Sequence, residues 1–351
     1  MYPMRPILGA WVLALGCARV AALPAGVGAQ AGETSPLFAS DDPLELTLVA
    51  DFRAIRADLS EDPEDRPALL VLPEGDTLNV GLRPRGEFRR DPATCSFPPL
   101  RLNVGVEGTE GTPFAGQDKL KVVVPCRLNR EGYETLVLRE YLVYRAYQAI
   151  TDMSFRVRLA RITFQDATGR DEPATRWAFF LEDAAALASR VGAELLDVPE
   201  GKVVRADVLD PAGATRVALF QYMIGNTDWH DAQIHNVVSL VVGRSVVSVP
   251  YDFDFSGAVD APYAGPNPDL PVKDVKERFY RGWCWPGLDA GLLVAHFQEV
   301  RPAIEELYRS FEFLDPRTRD EILAYYAGFY EDVSTPERAQ RNVFRNCKDL
   351  S

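Results

Sequence analysis

In the first third of the chain, apolar residues either alternate with polar ones or form short blocks. Leu44-Glu45-Leu46-Thr47-Leu48-Val49, Thr77-Leu78-Asn79-Val80-Gly81-Leu82, Leu100-Arg101-Leu102-Asn103-Val104 and Leu120-Lys121-Val122-Val123-Val124 are separated by Gly, Pro and Asp. This is the pattern of strands that bury one face. From Tyr133 to Ile150 the period changes. Leu136, Tyr141, Leu142, Tyr144, Tyr147 and Ile150 recur mostly at steps of three and four, which predicts an amphipathic helix. Val157–Phe164 and Trp177–Leu181 predict two more strands around the turn-forming Asp166-Ala167-Thr168-Gly169, with helix over Glu182–Ala193. A helix over Val217–Ile224 closes at Gly225-Asn226, residues suited to the left-handed conformation. Val237–Val242 and Ser245–Pro250 then form a valine-rich hairpin around Gly243-Arg244, and the chain beyond Leu288 is helical in pattern. Thr335-Pro336 opens the last helix as N-cap and first helical residue.

Strands first and helices after predict an α+β fold, and the length of 351 residues suits one bilobal unit or two domains. We place a strand-rich lobe at 43–182 and a mostly helical lobe at 183–351. The composition, 47% hydrophobic and 25% charged, is that of a folded globular protein. With 38 Lys and Arg against 51 Asp and Glu, the net charge of −13 argues against a broad electrostatic grip on nucleic acid or an anionic membrane.

The first residues carry a different signal. A short positively charged start, an apolar run over Pro6–Leu23 broken by Arg19, and small-residue cleavage sites at Val27-Gly28-Ala29 and Ala29-Gln30-Ala31 predict a Sec signal peptide over 1–31. Ala14-Leu15-Gly16-Cys17 offers a competing, imperfect lipoprotein box with Cys17 as the lipidated residue. No transmembrane segment is expected in the mature chain, because no later run approaches about 18 uninterrupted apolar residues. Export places the protein in the periplasm or outside the cell. Residues 32–42, small and polar, are expected to form a flexible mature N-terminus. Cys95, Cys126, Cys284 and Cys347 remain after cleavage, and an even number in an exported chain predicts disulfides. Three pairings are possible; Cys95 with Cys126 and Cys284 with Cys347 keeps each pair within one lobe. The absence of any C-x-x-C spacing speaks against zinc.

Two polar clusters flank the valine hairpin. Gly225-Asn226-Thr227-Asp228-Trp229-His230-Asp231-Ala232-Gln233-Ile234-His235-Asn236 precedes it, and Tyr251-Asp252-Phe253-Asp254-Phe255 follows it. A tight hairpin brings its ends together, so an aspartate and an asparagine on one side meet an Asp-x-Asp on the other. That set supplies oxygen ligands of the kind magnesium prefers, as phosphoryl transfer requires. Other readings compete. Asn226 and Asp228 also suit a turn, and Asp252 and Asp254 suit the polar face of an edge strand. Two acids on one strand face repel unless a cation lies between them. His230 and His235 with Asp231 are a weaker zinc candidate. The glycine-rich Gly105–Gly111 run lacks the strand-to-helix context of a phosphate loop and reads as a surface turn. No Gly-x-Ser-x-Gly or His-Glu-x-x-His is present, which argues against serine hydrolase and metalloprotease chemistry.

These segments resemble the CotH family of protein-kinase-like proteins over about Asn79 to Tyr263. Val80–Gly86 ending in Arg85-Gly86, Leu100–Val104, the helix beginning Leu138-Arg139-Glu140, and Ala178–Glu182 follow that family's order. Asn226-Thr227-Asp228 to Asn236 and Tyr251-Asp252-Phe253-Asp254 are the more specific part. The resemblance implies a bilobal protein-kinase-like fold and transfer of a phosphoryl group from Mg2+ and ATP to an unknown hydroxyl acceptor: a protein, glycan or small molecule. It implies Asp228 as the catalytic aspartate, Asn236 and Asp252 as metal ligands, and Asp254 as a sharer of the metal. Asp231, five residues before Asn236, is the runner-up base. Asn103 stands where the family has lysine, so Lys121, then Lys119, are the substitute phosphate cations, with Glu140 as the partner that steadies the lysine. Arg85 and Arg101 serve either phosphates or structural salt bridges. Two other functions compete: an exported binding or envelope protein that keeps the fold without catalysis, and a metal-dependent hydrolase acting on phosphate esters with the same acids.

Overall fold

A computed structural model describes residues 35–105, 107–199 and 201–350. The expected signal peptide, its candidate cleavage sites and Cys17 lie outside the described residues. Within them the molecule is mixed α/β, strand-rich first and mostly helical after Leu181.

The early strands are β1 (Leu44–Ala50), β2 (Arg66–Val71), β3 (Thr77–Pro84), β4 (Leu100–Asn103), β5 (Lys119–Val123), β6 (Val157–Asp166) and β7 (Ala174–Leu181). They form one closed barrel in the order β1-β2-β3-β4-β5-β7-β6. Closure comes from β1, which pairs antiparallel with β2 and parallel with β6, from Leu44 opposite Ala160 to Ala50 opposite Asp166. The alternation of β1 turns Leu44, Leu46, Leu48 and Ala50 inward, where they join Leu70, Leu82, Leu102, Leu120 and Phe180 in a core of the barrel's own. Burial of each such leucine contributes about 1.5–3 kcal/mol. A short helix α1 (Phe52–Ala57) follows β1. The segment 35–42, expected to be flexible, is tied down instead: Leu37 is fully buried and Arg158 donates to the carbonyl of Ser40 at 2.6 Å.

Between β5 and β6 runs α2 (Gly132–Ile150), and it belongs to a second core. An amphipathic helix was expected, but ten of its residues, Glu140 among them, are buried. The reason is that α2 packs on β7 and β6 and also on a helix from the far end of the chain. After α3 (Ala184–Arg190) and the two-residue β8 (Glu194–Leu195) comes α4 (Pro211–Ile224), capped by Asp210, whose carboxylate accepts from Gly213 N at 2.6 Å. The hairpin β9 (Val237–Val242) and β10 (Ser245–Pro250) has the predicted bounds, pairing Ser245 with Val242 and Pro250 with Val237. Three helices finish the chain: α5 (Ala290–Ser310), which packs on α2 and α4, α6 (Pro316–Asp332) and α7 (Pro336–Asn342). The Thr335 hydroxyl caps α7 as expected.

Two disulfides form, Cys95–Cys126 and Cys284–Cys347, the pairing that keeps each bridge within one half of the chain. Disulfides fit an oxidising compartment. Among the described residues no helix is long and apolar enough to cross a membrane.

Candidate active site

The site begins where α4 stops. Gly225 ends the helix with φ 65°, and the chain turns so that Asn226 N reaches back to Gln221 O at 2.8 Å. The Asn226 carboxamide oxygen then accepts from Asp228 N at 2.9 Å, the turn expected of an Asn at this position, and it fixes the Asp228 backbone. Beyond it, His230 and His235 exchange two backbone hydrogen bonds of 2.9 Å and close a small loop. Tyr251 N donates to Asn236 O at 3.0 Å, so the two ends of the valine hairpin lie side by side. Asn236 and Asp252 both have positive φ, 52° and 63°, a conformation that side chains other than glycine adopt rarely. The Asp252 backbone is held there by its N–H donating to the buried Tyr144 hydroxyl at 2.8 Å.

Asp228, Asn236, Asp252 and Asp254 line one cavity of about 450 Å³. The opposite wall is the connection between β3 and β4, which supplies Arg85 and Arg89. Cys95–Cys126 pins that connection to the segment after β5, and Arg89 donates to Val124 O at 2.7 Å. Asp228 Oδ1 lies 2.9 Å from His235 Nε2, while Asn236 Nδ2 donates to Asp228 O at 2.7 Å and to Asp228 Oδ2 at 3.0 Å. Arg85 stands 4.0 Å from Asp252. Asp254 is buried and pairs with Arg89 at 3.4 Å, while its Oδ2 also accepts from the Tyr263 hydroxyl at 3.1 Å. Six of the residues singled out in the sequence, Asp228, His235, Asn236, Asp252, Asp254 and Arg85, therefore share one cavity.

The others stand apart from its lining. Asp231 is buried, with Oδ2 accepting from Trp283 Nε1 at 2.7 Å and Oδ1 from Ala232 N at 2.8 Å, so both oxygens serve the loop's own structure. Lys119 is exposed at the start of β5, opposite Asn103. Lys121 turns its ammonium onto the ring of Tyr251, 4.0 Å from the centroid. Burial, reinforced by Arg85 and Arg101, pulls the Lys121 pKa down to about 8. Arg101 is its cross-strand neighbour. Glu140 makes no ion pair with Lys121 among the described residues. It lies instead against the Asp252–Asp254 segment, accepting from Phe253 N, with Oε1 buried and unbonded. The two histidines do not converge on a zinc site: His235 bonds to Asp228, whereas His230 Nε2 faces Lys348 Nζ at 3.3 Å.

No family model and no curated protein matches the sequence. Among solved structures, the proinflammatory kinase CtkA of Helicobacter pylori is similar at a TM-score of 0.41 and 9% identity, over 70% of this chain and 95% of that one.

The electrostatics of the cavity are unbalanced toward carboxylate. Burial, then the neighbouring Asp252 charge, pushes the Asp254 pKa up to about 6. Burial, then Asp254 and Asp252, holds the Glu140 carboxyl well above its ordinary range. Carboxylates crowded closely enough that Asp252 raises both Asp254 and Glu140 describe a place where an added cation is favoured. Among the described residues no three His, Cys, Asp or Glu side chains form a complete metal cage by themselves. Magnesium does not need one: it usually takes one or two protein carboxylates and completes its shell with water and substrate phosphates. The Asp252 carboxylate and the Asn236 carboxamide oxygen fit that requirement.

Arg89, Tyr263 and His235 are parts of the site that sequence reasoning missed or assigned elsewhere. Arg89 sits in Arg85-Gly86-Glu87-Phe88-Arg89-Arg90 without any spacing that marks it, and Tyr263 lies beyond the second acidic cluster. His235 alone carried a signal, as the neighbour of Asn236.

Proposed function

We propose that the chain is an exported phosphotransferase of protein-kinase-like fold, moving a phosphoryl group from Mg–ATP to a hydroxyl acceptor. The observation that carries this reading is the meeting, in one cavity, of Asp228 and Asn236 from before the hairpin with Asp252 and Asp254 from after it, opposite Arg85 and Arg89. In this reading Asn236 and Asp252 would hold magnesium, which supplies neutralisation of phosphate charge when bound. Asp228, held on both oxygens, orients the acceptor hydroxyl and takes up its proton. Arg85 presents a guanidinium suited to phosphate oxygens. Asp254, buried against Arg89 and Tyr263, fixes the segment that carries Asp252.

Two observations favour a second reading, a kinase-like binding protein without catalysis. The strand lysine Lys121 lies on an aromatic ring without a glutamate partner, and both oxygens of Asp228 are already engaged. Calorimetric titration of the purified protein, disulfides intact, with ATP in the presence and absence of Mg2+ separates the readings when combined with a phosphate-transfer assay. Mg-dependent binding that is lost in a folded Asp252→Ala variant, with turnover of ATP, supports the transferase. Binding without turnover moves the protein to the second reading. A folded wild-type chain that binds no Mg–ATP overturns the nucleotide assignment.

A further inference from the structure

A second cavity, of about 420 Å³, lies beside the Cys284–Cys347 disulfide and is lined by Tyr280, Trp283, Trp285 and Phe344. Its volume is within the range of small-molecule sites, roughly 300–1,000 Å³. Indole and phenol groups line one depression, and their polar atoms lie in its floor. Trp285 Nε1 is buried and has no acceptor. The buried hydroxyls of Thr215 and Tyr280, which also line the cavity, adjoin each other and have no other protein partner. Each of these atoms is shut off from solvent, so they belong to the packed floor, and the polar groups within reach of a ligand are those of the rim. At the rim stand exposed Gln340 and Asp349, one amide and one carboxylate.

We infer that this cavity is a binding site for a neutral saccharide, separate from the acidic cavity and independent of the phosphotransferase reading. A sugar ring has an apolar C–H face that packs on an indole and an equator of hydroxyls that both donate and accept. That combination matches aromatic walls beneath a rim that carries an amide and a carboxylate. An anionic ligand is disfavoured by Asp349. A quaternary ammonium satisfies aromatic faces but offers no hydrogen bonds to the rim groups of Gln340 and Asp349. Lys348 Nζ also already lies over Trp283, 5.5 Å from the ring centroid, which opposes a second cation there. The floor of the site is held firmly. Lys348 N donates to Gly282 O and Cys284 N to Lys348 O, each at 2.8 Å, so the disulfide and this backbone pair lock the chain end against the tryptophans.

The test is saturation-transfer difference NMR on the purified protein, disulfides intact, with cellotriose, maltotriose and chitotriose as separate probes and choline as the cationic control. At least one trisaccharide is expected to show transfer to its ring C–H protons, with an affinity at least tenfold weaker in Trp285→Ala and unchanged in Asp252→Ala. Because Trp285→Ala removes packing beside the disulfide, Gln340→Ala and Asp349→Asn at the exposed rim are tested in parallel, and each is expected to weaken binding severalfold without loss of fold. Absence of transfer from all three sugars, equal affinity in all three cavity variants, or binding of choline in place of sugar overturns the assignment.

Discussion

His235 Nε2 lies 2.9 Å from Asp228 Oδ1, and the adjacent residue, Asn236, reaches Oδ2 of the same carboxylate at 3.0 Å. The contact raises the His235 pKa, the hydrogen bond to Asp228 being the largest cause. A carboxylate that accepts on both oxygens is oriented tightly. Positioning the acceptor hydroxyl is therefore a large share of what Asp228 contributes. Replacing His235 by Ala should lower ATP turnover about tenfold and leave the KM for ATP nearly unchanged, because the ring touches Asp228 and no strand-borne phosphate cation. Asp228→Ala should lose about 10²–10⁴-fold, the span usual for an acid–base group. Steady-state kinetics decide it, and a rise in KM without a fall in kcat for His235→Ala would assign that ring to nucleotide binding.

Arg89 and Asp254 form a buried pair, their side chains 10% and 7% exposed. Neither ion has water to fall back on if its partner is removed. Arg89→Ala should therefore destabilise the fold by about 3–5 kcal/mol, as expected for breaking a buried pair. Replacing both residues with apolar ones, Arg89→Met with Asp254→Leu, should recover most of that loss, because burial of the two charges is itself costly. Urea unfolding of the three variants checks the cycle; a double variant no more stable than Arg89→Ala would show that Tyr263 and Val124, the other partners, carry the effect.

His230 predicts a pH dependence. Burial, then the nearby Lys348 charge, lowers its pKa from 6.5 to about 4, while Nδ1 accepts from Gln233 N at 3.2 Å and so favours the neutral ring. Between pH 4 and 6.5 the unfolded chain binds this proton and the folded chain does not. Stability must then fall as pH drops through that window and be insensitive to His230 above it. The His230 side chain keeps 18% of its surface exposed, so the slope is shallower than a fully buried group would give. His230→Gln should flatten the dependence. Urea midpoints measured from pH 4 to 7 test this, and an unchanged slope in the variant would place the acid sensitivity elsewhere.

The hairpin and the meeting of Asp228, Asn236 and Asp252 were legible because they follow from short-range rules, whereas the disulfide pairing was favoured only because it keeps each bridge within one lobe. Two valine-rich strands joined by the Gly243 turn set β9 against β10, and whatever precedes and follows such a ladder must emerge together. The companions of these residues were not legible. Arg89, on the β3–β4 connection, and Asp254, after β10, are 165 positions apart, and no local pattern pairs them. Periodicity marks strands but not their order. Lys121 was read as a phosphate cation from its place on the strand after Asn103, yet the side chain settles on Tyr251, a contact between the barrel and the hairpin segment. The three-and-four spacing of α2 likewise could not show that Glu140 would turn toward Asp252 and Asp254.

Two glycines with nearly the same backbone separate strain from crowding. Gly225 at the end of α4 has φ 65° and Gly243 in the hairpin turn has φ 62°. A methyl group at Gly243 would meet nothing within 4 Å, so Gly243→Ala should cost only the left-handed conformation, about 1–2 kcal/mol. At Gly225 the same methyl group would overlap the Tyr325 hydroxyl, 1.9 Å away. That hydroxyl cannot move freely, since it donates to Lys276 O at 2.9 Å and its ring carries Arg278 3.9 Å from the centroid. Gly225→Ala should therefore lose clearly more stability than Gly243→Ala. It should also lose ATP turnover, because Gly225 leads directly into the Asn226 turn that sets Asp228. Urea unfolding and ATP turnover measured side by side resolve the two contributions: equal stability losses would mean that Tyr325 yields at little cost, and full turnover in Gly225→Ala would mean that the Asn226 turn forms independently of the helix end.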